Sequence, residues 1–205
     1  MIRYHIVTAA TRLKNLPEVL HSIQVAMEGV PNIEAIWHIC FDCSAIGEDN
    51  LPMDFDPELD NLTIKYYKNF KRPDSEHCRG GPPKNVIFDN IDPTDDGFVH
   101  MIDDDNIVHP NFYKTITPYL QEERWDCIVY SAMFANNHPR LISIPENMHQ
   151  CGVDTAQIIF SRKSLGDKRL EEIAGEDGPF VEFMVNNYKT KYLPTEFICY
   201  WNYIS

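Results

Sequence analysis

Positive charge is scarce in this chain: 31 Asp and Glu stand against 18 Lys and Arg, a formal net charge of −13 with histidine neutral. Proteins that grip a nucleic-acid backbone carry the opposite balance, because their cations displace counterions from phosphates. That class is excluded. Long apolar runs are missing as well, since no stretch approaches the roughly 18 consecutive apolar residues of a membrane helix. The first 16 residues lack the basic start, apolar run and small-residue cleavage site of a signal peptide. A soluble, cytoplasmic protein is therefore expected. Internal repeats and low-complexity tracts are absent, and residues 45–61, broken by Gly47, Pro52 and Pro57, read as a surface loop rather than a linker. Cysteine is not arranged as a framework either. Six are scattered through apolar segments of a chain too large for a disulfide scaffold, so they read as reduced core thiols. Cys40 and Cys43 form a C-x-x-C, but inside a strand-like segment and without the second pair that zinc would need.

What remains is ordinary globular material. The 205 residues are 43% apolar, 12% aromatic and 24% charged, which suits one folded domain over 1–205, alone or within a longer polypeptide. At this size about 70% of the chain's surface can be buried, so neither disulfides nor a structural metal is required. Residues 3–8 form a β-rich run ending in Thr8-Ala9-Ala10-Thr11-Arg12. Asn15 is placed to cap a helix with Glu18 three residues on, and Leu16, Leu20, Ile23 and Met27 share one face. Strands are expected at 35–41, 62–67, 97–102, 126–134, 141–144 and 156–160. Pro82 and Pro83 open a helix over 84–91, Pro110 begins another, and Pro179 a last one. Strands alternating with helices indicate an α/β domain with a mainly parallel sheet, whose ligands bind beyond the carboxyl ends of the strands.

Three constellations carry chemistry. The apolar strand from Gly97 runs straight into Asp103, Asp104 and Asp105. Three adjacent carboxylates repel one another and call for a cation, and hard oxygen ligands suit Mg²⁺ or Mn²⁺. An EF-hand is ruled out by spacing: counting from Asp103, Val108 stands where its glycine belongs and Lys114 where its glutamate does. The second constellation is Arg79-Gly80-Gly81-Pro82-Pro83-Lys84-Asn85, a basic turn into a helix start that favours phosphate, although two prolines remove two N–H donors. With Arg12 it is placed to hold a diphosphate against a metal. Third, Glu176 and Asp177 precede the Pro179 helix. A helix dipole stabilises acids there, and a carboxylate kept ionised can serve as general base toward a hydroxyl.

In this order the segments resemble a glycosyltransferase of the GT-A fold, and specifically its inverting glucuronosyltransferase branch. Val7 to Arg12 is similar to the family's first strand and nucleotide loop, and Phe41-Asp42-Cys43-Ser44 to its second strand end. Arg79 to Asn85 resembles the basic turn, Gly97 to Asn106 the Asp-x-Asp strand, Val153 to Ala156 the acceptor-side strand, and Gly175-Glu176-Asp177 the catalytic acid motif. The compact length also resembles small GT-A domains encoded by chlorella viruses. The resemblance implies a single Rossmann-like domain that binds a UDP-sugar at Thr8, Ala9, Ala10, Arg12, Asp42, Arg79, Lys84, Asp103 and Asp104. It places Mn²⁺ or Mg²⁺ on Asp105 with Asp103, and the base at Asp177 or Glu176. A hexose would pass, with inversion, to a hydroxyl of a glycan or glycoprotein acceptor. No histidine follows His149, so the C-terminal histidine ligand of several relatives is missing. Trp37, Trp125 and Trp201 are either sugar-stacking or core residues. Two rivals share the fold: a sugar-nucleotide pyrophosphorylase, which the glycine-free Thr8 to Thr11 disfavours, and a non-catalytic carbohydrate-binding module.

Overall fold

The computed structural model describes residues 1–47, 55–71, 80–122, 124–149, 152–171, 175–201 and 203–204. Among these, the chain runs β1 (Ile2–Ala10), α1 (Leu16–Met27), β2 (Ile33–Asp42), α2 (Cys43–Ile46), β3 (Leu62–Asn69), α3 (Gly81–Asn90), β4 (Phe98–Met101), β5 (Ile107–Val108), α4 (Phe112–Gln121), β6 (Cys127–Met133), β7 (Pro139–Leu141), β8 (Ile158–Ser161), α5 (Arg162–Leu165), α6 (Asp177–Asn187) and β9 (Thr190–Tyr200). One sheet holds all nine strands in the order β3-β2-β1-β4-β8-β6-β9-β5, with β7 added on β6. The longer ladders, β1 with β2 and β4, β2 with β3, and β6 with β9, are parallel, while the short ones involving β5, β7 and β8 are antiparallel. The expected α/β sheet is thus present and mixed.

Alternation along β1 explains the two cores. Tyr4 and Ile6 join Trp37 of β2, Leu16 and Ile23 of α1 and Phe112 of α4 on one face. Val7 joins Cys40, Val99, Phe88 of α3 and Phe180 of α6 on the other. With helices on both faces, the central strands are largely buried, and all seven residues of β6 are buried.

Several boundaries differ from the sequence reading for identifiable reasons. Asn15 does occupy the position before α1, but its side chain makes no cap bond. The strand expected at 141–144 lies earlier, at Pro139–Leu141, because residues 134–138 form the turn of a β6–β7 hairpin. The strand expected from 156 begins at Ile158, since Thr155–Gln157 is a 3-10 turn with Asp154 and Gln157 closing a capping box. The eleven-residue β9 has no counterpart in the sequence reading. Pro194 and its polar neighbours disguise it, and the structure tolerates the proline at a register shift between Tyr130 and Ser131, where Ser131 Oγ donates to the Pro194 carbonyl at 2.9 Å. Cys40, Cys43, Cys127 and Cys199 are buried thiols, and burial pushes Cys40 up to about 12, opposite to what a reactive thiolate requires. Cys78 and Cys151 lie outside the described residues.

Candidate active site

Because β1, β2 and β4 are parallel, their carboxyl ends reach the same rim of the sheet. β8 is antiparallel to β4, so the turn that precedes it delivers Asp154 to that rim. β6 and β9 run back in the original sense, and Trp201 directly follows β9. A pocket of about 560 Å³ opens there, lined by residues of the loop after β1, of α2, of the start of α3, by Asp103 to Asp105 after β4, and by Asp154, Glu176, Asp177 and Trp201. It lies where ligands of open α/β sheets bind, beyond the strand ends.

The three aspartates after β4 take different surroundings. Asp104, 2% exposed, accepts from Thr11 N at 2.6 Å, Thr11 Oγ1 at 3.2 Å, Arg12 N at 2.5 Å and Arg12 Nη1 at 2.6 Å. It ties the loop after β1 to the end of β4. Asp105 pairs with Arg12 Nη1 at 2.9 Å. Burial, with Asp103 nearby, pushes its carboxyl up to about 6 against the opposing pull of Arg12. Asp103 receives the Lys84 ammonium at 2.8 Å.

Lys84, which the sequence reading places on a diphosphate, is buried among acids. Its helix α3 begins inside the Gly-Pro-Pro turn, and the side chain is 2% exposed. Besides Asp103, it donates to Thr155 Oγ1 at 3.0 Å and lies 3.9 Å from Asp177 Oδ1. Burial alone would lower its pKa, but the Asp103 and Asp177 carboxylates outweigh that and hold it raised. Asp177 begins α6, after Gly175 turns the chain at φ +74, a conformation costly for side chains bearing a Cβ. Its Oδ1 is buried and has no hydrogen-bond partner among the described residues. Burial raises Asp177, opposed by Lys84. Glu176 is raised by burial and then by Asp177.

Asp103, Asp154 and Asp177 each offer a carboxylate oxygen within 4.8 Å of the others, a set that could hold a metal ion. Asp154 has no role in the sequence reading, although its Val153 to Ala156 segment does. Its signal was its place before a strand, and only the antiparallel direction of β8 brings it to the rim. Both its oxygens are engaged, Oδ1 by Ala156 N at 2.8 Å and Oδ2 by the Trp201 indole at 3.0 Å. Burial, then Asp177 and Asp103, raise its carboxyl.

Of the other sequence-derived residues, Ala9 and Arg12 line the pocket. Thr8 and Ala10 are buried, Thr8 Oγ1 accepting from the Trp37 indole at 2.9 Å. Asp42 is buried beneath the rim, where it caps α2 and accepts from Ser44 Oγ at 2.6 Å. Arg79 lies outside the described residues. Trp37 is core and Trp125 sits away from the pocket, which leaves Trp201 as the tryptophan within it.

No protein-family model matches the sequence, and no match is found among curated proteins. Solved structures do match. S. aureus TarS 1–349 in complex with UDP-GlcNAc superposes with a TM-score of 0.67 at 17% identity, over 98% of this chain and 58% of that one. The same fragment with UDP gives 0.67 at 17% identity, over 100% and 61%. The mannosyltransferase PcManGT from Pyrobaculum calidifontis, with GDP-Man and Mn²⁺, gives 0.59 at 11% identity, over 98% and 56%. The fold is the glycosyltransferase-like Rossmann fold. The chain spans about 60% of the TarS fragment's length. Among the described residues no helix is long and apolar enough to cross a membrane.

Proposed function

We propose that the chain is a metal-dependent glycosyltransferase that moves a hexose from a UDP-sugar to a hydroxyl of a glycan or glycoprotein acceptor, with inversion. The observation that carries the reading is the single pocket that gathers Arg12, Lys84, Asp103, Asp105 and Asp177 at the sheet rim of a nucleotide-sugar fold. Asp103 and Asp105 fit a divalent ion, because both line the pocket, lie close enough for Asp103 to raise the Asp105 carboxyl, and offer hard oxygen ligands. Asp105 and Asp103 would hold it on the side of the β1 loop, where Asp104 fixes Thr11 and Arg12 for the nucleotide. Such an ion stabilises negative charge on a departing diphosphate. Arg12, half exposed, can leave Asp105 and add its charge to the same phosphates.

On the opposite side, Asp177 is the base. Asp177 lines the pocket and its carboxylate can take the proton of an acceptor hydroxyl, while Lys84, 3.9 Å from the buried Oδ1, favours its ionised form. One displacement with one base inverts the anomeric centre. Glu176 is the second choice, and Asp177→Asn and Glu176→Gln decide between them. A pyrophosphorylase is disfavoured by the glycine-free loop after β1, and a non-catalytic module by the assembled carboxylates. Thermal-shift titration with UDP-sugars, with and without Mn²⁺, tests the reading. A bound donor at 100 times its Kd adds about 2.7 kcal/mol of stability. No shift with any donor in Mn²⁺ would sink it.

A further inference from the structure

The β6–β7 hairpin and the end of β9 build a second feature on the pocket's mouth. Arg140 lies with its guanidinium carbon 4.5 Å from the Trp201 ring centroid and 5.8 Å from that of Phe134, and the two rings meet edge-on at 5.8 Å. The indole is thereby held on two sides, by Arg140 above and by its N–H bond to Asp154 within the pocket. Stacking platforms for sugar rings need this kind of fixed aromatic face. Arg140 covers one side of the half-buried indole, Trp201 lines the pocket, and Phe134 (38%) and Arg140 are exposed, so a ligand reaches the indole from the pocket.

Arg140 is also unusual in its company. In a chain with 31 acids for 18 bases, Arg3, Arg12, Arg124 and Arg169 each pair with a carboxylate, and Arg162 donates to backbone carbonyls. Among the described residues Arg140 has rings and no carboxylate. Its guanidinium is thus a cation with donors to spare, stacked on the Trp201 that lines the acid-rich pocket.

We propose that Trp201, Phe134 and Arg140 form an acceptor subsite that selects a sugar bearing an anionic substituent, either a carboxylate or a phosphate ester. The sugar ring lies in the pocket against the side of Trp201 that Arg140 does not cover, one hydroxyl faces Asp177, and the anion reaches outward past the indole edge to Arg140. The proposal rests on the transferase reading above and adds to it the acceptor's charge.

Calorimetric titration of the protein saturated with UDP and Mn²⁺ tests it, using two pairs of sugars: cellobiose with cellobiouronic acid, and glucose with glucose 6-phosphate. UDP fills the diphosphate site, so a phosphate ester reports on the second subsite. The charged member of at least one pair should bind about tenfold tighter, the scale of one charge-assisted hydrogen bond. The carboxylate and phosphate arms show which anion is read. Arg140→Gln, an exposed change, should abolish the preference while leaving UDP affinity unaltered, and Trp201→Leu should weaken both members alike. Equal affinity within both pairs, binding of none of the four sugars, or a preference that survives Arg140→Gln overturns the subsite. Failure of UDP itself to bind with Mn²⁺ instead overturns the transferase reading.

Discussion

Replacing Lys84 by methionine tests the electrostatic design of the pocket most directly. The ammonium is 2% exposed and contacts Asp103 at 2.8 Å, with Asp177 at 3.9 Å, while Asp154 completes the acid cluster. Methionine matches the stem of the lysine but leaves those carboxylates facing one another with no cation. Removing one partner of a buried ion pair costs about 3–5 kcal/mol, because the remaining charge is left uncompensated. Protonation of the acids would limit the loss, so about 3 kcal/mol is the expected value. For a chain of this size 1 kcal/mol moves Tm by about 2–4 °C, and a drop of roughly 6–12 °C follows. The distinguishing result is the effect of Mn²⁺: a divalent ion can replace the missing charge, so it should recover more stability in the variant than it adds to the wild type. Differential scanning calorimetry with and without Mn²⁺ measures both. An unchanged Tm in Lys84→Met, or a fall that Mn²⁺ does not reduce, would refute the argument that Lys84 neutralises the cluster.

Asp105→Asn should weaken Mn²⁺-dependent UDP binding by calorimetry at least tenfold with the fold retained, whereas Asp154→Asn should leave it within a few-fold; the reverse order would move the ion to the Asp103–Asp154–Asp177 group. Asp177→Asn should keep donor affinity and lose transfer in a UDP-release assay by a factor of about 10² or more, and normal transfer by this variant alongside an inactive Glu176→Gln would reassign the base. Two buried histidines should also oppose folding in acid. Burial, with His5 and Lys65 nearby, pushes His38 down to about 3, and burial does the same to His100, so both are neutral in the folded chain. The unfolded chain binds more protons between pH 6.5 and 3, and stability is lost as pH falls through that window. At pH 5 each buried histidine costs about 2 kcal/mol relative to pH 7, while Asp105 and Asp154, whose carboxyls burial raises, act in the opposite direction. Comparing urea midpoints of the wild type and His100→Phe, which keeps the ring stacked on Phe112, isolates the histidine: the variant should be about 2 kcal/mol less sensitive to the change from pH 7 to pH 5. Equal acid sensitivity of the two would refute it.

Much of this protein was readable along the chain. The alternation of strands with helices, the apolar strand running into Asp103 to Asp105, and the acids heading α6 are local patterns, and local patterns survive in one dimension. The period of side chains and the turn residues fixed them before any contact was known. The long β9 was not readable, because Pro194 and its polar neighbours look like a loop until β6 pairs with them across a register shift. The division of labour among the three aspartates was equally hidden. Sequence alone treats them as equivalent neighbours, and the fold makes Asp104 the clasp on Thr11 and Arg12, pairs Asp105 with Arg12 and gives Asp103 to Lys84. Asp154 and Trp201 enter the site only because β8 runs against β4 while β9 runs with β6. The sequence by itself determined the fold class and singled out the aspartate triplet and the acid pair, since both depend on residue type and short spacing. Which groups share one pocket, from Ala9 to Trp201, depends on strand order and direction over separations that span most of the chain, and only the tertiary structure decided that.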